Sequence, residues 1–327
     1  MAPGTLADAQ SRLLRVFEPL DEAIAERQRR ARLVQGDETR WMIHQRSERG
    51  ENPRCWLWVC VSEDAVRMHI DPNRSARAAR VLFAELGETL PVILVCDRYG
   101  AYRKLARELA GRFVLATCWV HARRDYIRAA QRHPELRVWS ARWLKRFAGL
   151  YTRNARRLSH FVRDAAMSAQ PPAFVAAHRR LKRKVLELFE TAQRELHGLP
   201  EDSPKAPALR ALVREREGLT VFLDSPSTPM DNNASERAIR AAANSRKVSF
   251  GSHGATGARL SAVLFSLFAT LAMAGINPHH WLLDYLHACA ENAGEAPANL
   301  DPWLPWTIDD ARLERLRHPY PVQPHGP

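Results

Sequence analysis

The chain has 327 residues, 46% hydrophobic and 26% charged, a composition that excludes disordered and collagen-like classes and leaves room for a substantial core. That length suits one large domain carrying an insertion, or two domains. Forty-nine Lys and Arg against 36 Asp and Glu leave a net charge of +13 and a pI of about 10.1. Such a basic excess favours a polyanionic partner, because neutralising phosphates releases condensed counterions.

Taken in chain order, residues 6–30 have helical periodicity through Leu6, Leu13, Leu14, Phe17, Leu20 and Ile24 and end in the charged run ERQRRAR. Strand-like segments follow at 32–45, 55–61 and 66–70, and the polar turn RSERGENPR makes 32–61 an antiparallel hairpin. A helix is expected over 74–88, ended near Gly87, and then a buried strand over 91–96, PVILVC. A further helix at 101–111, a strand at 113–117 and a helix from about His121 complete an order that begins as a meander and becomes α/β. From about 135 to 222 strand signals vanish and Arg/Lys-rich helical segments take over, broken by the linker HGLPEDSPKAP and ended by DSPSTPM. Helices return over 231–290, and the tail after 293 is Pro-rich, with Trp303 and Trp306 expected to pack back on the body.

The five cysteines, at 55, 60, 96, 118 and 289, are odd in number and lack a framework spacing, which points to reduced, buried thiols in a cytoplasmic protein. Met1-Ala-Pro-Gly opens no secretory signal. The longest apolar stretch, 261–274, is too short to span a bilayer, so no membrane partner is expected.

Three acidic residues stand where chemistry could use them. Asp97 directly follows the buried strand PVILVC, where α/β sheets present ligands, although DRYG is also ordinary turn chemistry. Asp37 lies inside the first strand as GDETRW, with Glu38 beside it as a rival ligand. Glu236 opens a helix in MDNNASERAIRAAANSRK, where Asn233-x-x-Glu236 also fits a capping box. Arg240 shares its helix face at i, i+4, with Lys247 further along. Carboxylates on rigid elements are what two Mg²⁺ ions require for phosphodiester cleavage and transfer.

The ordered set DETRW (from Asp37), DRYGAY (from Asp97), CWVHARRDY (118–126) and DNNASERAIR (231–240) followed by SRK (245–247) resembles the insertion sequence 66 family of DDE transposases, over roughly residues 5 to 290. The resemblance implies an α/β, RNase H-like mixed sheet flanked by helices, with a large all-helical insertion before the last catalytic residue. Its parts would be an N-terminal helical segment (1–31), the first part of the core (32–134), the insertion (135–230), closing helices (231–292) and a tail (293–327). It implies metal-dependent cleavage and joining of DNA strands, with Asp37, Asp97 and Glu236 as catalytic metal ligands for two Mg²⁺ ions, or Mn²⁺ in their place. Arg123, Arg124, Arg237, Arg240, Arg246 and Lys247 would hold DNA. Cys118, His121, Asn232 and Asn233 would support the site, since zinc needs four ligands and no second Cys-x-x-His pair accompanies Cys118 and His121. The partners implied are transposon ends and target DNA, further copies of the chain on DNA, and companion proteins of the same element, in a bacterial cytoplasm. Members are longer at the N-terminus, so the DNA-binding region that precedes the first acidic motif is expected to be missing.

Overall fold

A computed structural model describes residues 3–44 and 54–317; of the hairpin turn expected at 46–54, residues 46–53 lie outside the described residues and Arg54 opens a strand. The elements, in order, are α1 (Pro3–Arg29), β1 (Leu33–His44), β2 (Arg54–Val61), β3 (Val66–Asp71), α2 (Ala76–Phe83), β4 (Val92–Cys96), α3 (Gly100–Glu108), β5 (Phe113–Thr117) and α4 (Trp119–Arg132). They continue with α5 (Arg137–Leu158), α6 (Pro172–His197), α7 (Ala206–Arg214), α8 (Arg216–Asp224), α9 (Asn233–Ser249), β6 (Ser252–His253), α10 (Gly254–Met273), α11 (Pro278–Glu291) and α12 (Asp310–Arg317). The six strands form one open mixed sheet of order β3-β2-β1-β4-β5, with β6 beside β1, flanked by helices in the RNase H-like manner. Between α4 and α9 the described residues hold helices and no strand, as expected of the insertion. The chain divides into two compact units.

The first unit comprises residues 1–92, 107–112 and 233–327. β1 and β2 pair antiparallel with Asp37 opposite Val59 and Glu38 opposite Trp58, and β2 pairs antiparallel with β3. The strand side chains alternate between faces, so Trp41, Leu57, Val59 and Met68 share one face, where they pack with Ile239 and Ala242 of α9. β3 is the edge strand, and its exposed ladder is closed by side chains rather than by another strand. Ser266 Oγ accepts from Met68 N–H at 2.8 Å, while Thr270 Oγ1 accepts from Val66 N–H at 3.0 Å and donates to Val66 C=O at 3.2 Å. Those hydroxyls belong to α10, which at 20 residues is longer than the 261–274 stretch and reaches a bilayer-crossing length. Half of its apolar length is nevertheless buried within the protein. A second cluster joins Phe17, Leu20 and Ile24 of α1 to Leu267 and Leu271 of α10 and to Trp281 and Tyr285 of α11. Trp303 and Trp306 pack into it, as the sequence suggested.

The second unit comprises residues 93–106 and 113–232. Its core is aromatic and centres on Trp119, whose Nε1–H donates to Leu219 C=O at 2.9 Å and whose ring lies about 6 Å from those of Phe147, Phe189 and Phe222. α8 approaches β5 so closely that a Cβ on Gly218 would stand 2.3 Å from Thr117 Oγ1, so glycine is required there. Arg157 is wholly buried, and its NH1 donates to Phe222 C=O at 3.0 Å.

The edge closure is testable. Replacing Thr270 by Val removes the hydroxyl that serves both Val66 groups and should lower stability by about 1–3 kcal/mol in urea denaturation. An unchanged midpoint would show that the edge needs no such closure.

Candidate active site

The first unit holds two of the three acidic candidates on elements packed against each other. Gln35, Asp37, Thr39 and Trp41 lie on one face of β1 by strand alternation, and Trp41 is buried there against α9. Asp37 therefore faces the α9 side, half-buried, with its Oδ1 accepting from the backbone N–H of Glu38 at 2.8 Å. Glu38 points to the opposite face. Its side chain is only 1% exposed and takes Nε and NH2 of Arg74 at 3.0 and 2.6 Å, while the Arg74 guanidinium lies 4.4 Å over the Trp56 ring. The rival carboxylate is thus committed to an ion pair away from α9.

Glu236 sits in the first turn of α9, half-buried, where the exposed N–H groups of a helix start favour a carboxylate. Gln35, two residues before Asp37, accepts from Ala234 N–H at 3.0 Å and so satisfies one of those N–H groups. At the other end of the helix, Arg246 NH1 donates to Arg40 C=O on β1. α9 is fastened to β1 at both ends, and Arg246 serves as a clamp. Arg237, Arg240 and Lys247 are exposed on the same helix. Neither Gln35 nor Arg74 was singled out from sequence, although strand alternation from Asp37 marks Gln35 as sharing its face.

In the second unit Asp97 follows β4 directly, half-buried, and its Oδ1 accepts from Tyr99 N–H at 2.7 Å. This is the Asx-type turn that leads into α3, so the turn chemistry expected of DRYG is present. Arg98 pairs with Asp125 of α4 at 2.6 Å and donates to His121 C=O at 3.3 Å. Cys118 is fully buried at the head of α4, its N–H donating to Cys96 C=O at 3.0 Å, and burial pushes its thiol up to about 11. His121 Nε2 lies 3.3 Å from Arg124 NH1, which is half-buried, whereas Arg123 is exposed. Asn232 is fully buried and Asn233 is the first residue of α9.

Among the described residues no group of three or more His, Cys, Asp or Glu side chains is gathered to hold a metal ion. Asp37, Asp97 and Glu236 each offer the hard carboxylate oxygens that Mg²⁺ prefers.

Two measurements check this geometry. Gln35→Ala should cost about 1 kcal/mol of stability, as loss of a cap does; no change in the urea midpoint would deny the anchor. The folded Cys118 thiol keeps a proton that the unfolded chain releases above its ordinary value of 9.0. Its contribution to stability is present below pH 9.0 and is lost as pH rises toward about 11. Cys118→Ala should flatten that part of the pH–stability curve, and an unaltered slope would contradict the assignment.

The uncharacterized protein y4qI of Sinorhizobium fredii (strain NBRC 101917 / NGR234) is 28% identical over 276 residues, 79% of this chain and 48% of the relative. The uncharacterized protein y4jD of the same organism is 28% identical over 320 residues, 93% of this chain and 59% of the relative. The chain thus spans about half the length of the curated relatives it matches. The family described as Transposase IS66 family matches residues 1–260, a span that contains all three acidic candidates. The chain belongs to the transposase IS66 family.

Proposed function

We propose that this chain carries out the DNA strand cleavage and strand transfer of an insertion-sequence transposase, with Asp37, Asp97 and Glu236 as its acidic catalytic residues. The observation that carries the reading is the family match across residues 1–260, the span in which the three carboxylates lie. Local structure supports each assignment separately. Asp37 faces α9 while Glu38 is paired with Arg74, Glu236 occupies the first turn of α9, and Asp97 directly follows β4. Carboxylate oxygens are the donors that Mg²⁺ and Mn²⁺ prefer, and divalent ions in this family's chemistry would activate the attacking oxygen and stabilise the leaving one.

The residues of this chain supply position and charge. Gln35 and Arg246 hold α9 along β1, and Arg237, Arg240, Lys247 and Arg123 present exposed cations suited to DNA phosphates. Arg246 and Arg124 have structural partners and contribute to DNA binding less directly. Pairing two transposon ends takes at least two copies of the chain on DNA, and companion proteins of the same element belong to the same reading.

The test is a strand-transfer assay with pre-cleaved ends and Mg²⁺ or Mn²⁺. Asp37→Asn, Asp97→Asn and Glu236→Gln should each reduce joined product by more than about 100-fold. Nicking without joining would favour an RNase H-like nuclease instead. Full activity in Asp97→Asn would overturn the proposal.

A further inference from the structure

The end of α9 is built in a way that ordinary helix termination does not require. Phe250 follows the last helical residue with φ +61, a left-handed conformation that glycine normally supplies at this position and that a bulky side chain disfavours. The backbone around it is firmly held. Phe250 N–H donates to Arg246 C=O at 2.8 Å, and His44 Nε2 contacts Phe250 C=O at 3.1 Å. Gly251, at φ +131, presses so close to β1 that a Cβ there would lie 2.1 Å from Met42 C=O. The side chains are treated in the opposite way. Phe250 is 68% exposed and Val248 is 82% exposed, the highest values among the exposed large hydrophobic residues described. A fixed backbone thus presents an aromatic ring to the outside, at a cost in strain that burial does not offset.

The surroundings are cationic. Exposed Lys247 lies in the last turn of α9, exposed Arg240 and Arg237 stand about 15 and 20 Å up the helix from Phe250, and no Asp or Glu occurs anywhere between residues 237 and 283. Cations near a helix C-terminus can be explained by its dipole, but the dipole gives no reason for phenylalanine in the left-handed position.

We propose that Phe250 is a stacking platform for an unpaired DNA base, with the cations of α9 holding the adjoining phosphates. Every nucleobase offers a π face, so an exposed rigid ring within positive charge recognises single-stranded, gapped or unstacked DNA without reading its sequence. Acidic or apolar protein partners would use the patch differently, the first by charge alone and the second without salt dependence. The inference rests on the DNA reading given above and extends it to a residue that reading does not use.

The experiment uses the whole chain and the variant Phe250→Gly, which relieves the left-handed strain and should keep or raise Tm. Binding is measured by fluorescence on fully paired duplex and on the same duplex with 2-aminopurine in a single-stranded gap. Phe250→Gly should bind the gapped DNA about tenfold more weakly and lose the 2-aminopurine quench, with duplex affinity within roughly twofold and Phe250→Trp retaining both signals. Lys247→Ala with Arg240→Ala should instead weaken both DNAs alike and reduce the salt dependence. Gapped-DNA affinity unchanged in Phe250→Gly would overturn the stacking role while leaving the DNA reading intact. Loss of self-association in that variant at unchanged DNA affinity would also overturn it, assigning the ring to a protein contact. Failure of the unsubstituted chain to bind either DNA would remove the DNA reading and this inference together.

Discussion

The fastening of α9 to β1 is the constraint on which the first unit's candidate site depends. Gln35 holds Ala234 at the start of the helix and Arg40 holds Arg246 near its end. Five residues of strand cover about 17 Å and twelve residues of helix about 18 Å, so the two spans match and the helix can run along the strand without strain. Because the strand alternates faces, that fixed alignment turns Asp37 toward the helix whose first turn carries Glu236 and turns Glu38 away from it. A slip of one residue in β1 would exchange the two carboxylates. The pairing of buried Glu38 with Arg74 and the apolar packing of Trp41 against Ile239 and Ala242 both oppose such a slip.

Much of this architecture was legible before any coordinates. The strands Arg54–Val61 and Val92–Cys96 announce themselves as short apolar runs, and the basic helices between 137 and 224 through their period. β6 was invisible because two residues carry no periodicity, and it exists only through its pairing with β1. The tertiary partners were also out of reach. Glu38 meets Arg74 across 36 positions and Gln35 meets Ala234 across 199, separations that no local pattern encodes. The same limit applies to the apolar stretch 261–274, whose composition speaks of burial but does not reveal that Ser266 and Thr270 close the sheet edge.

Cys118 and His121 take separate places on α4. Cys118 is a buried start to the helix beside Trp119, the hub of the second unit's aromatic core, and His121 lies beside Arg124. The adjacent arginines separate in the same way, Arg124 turned toward His121 and Arg123 toward solvent. Charge is thus divided between residues that build the protein and residues left exposed for a polyanion, and the net excess of +13 overstates the second group.

The central claim is that Asp37, not Glu38, acts with Glu236 and Asp97. Anomalous diffraction from crystals of the chain with a transposon-end DNA and Mn²⁺ tests it most directly. The account predicts manganese density bound by Asp37, Asp97 and Glu236, with Glu38 still paired to Arg74. Manganese on Glu38, or well-ordered manganese on the DNA with none of the three carboxylates attached, would contradict it.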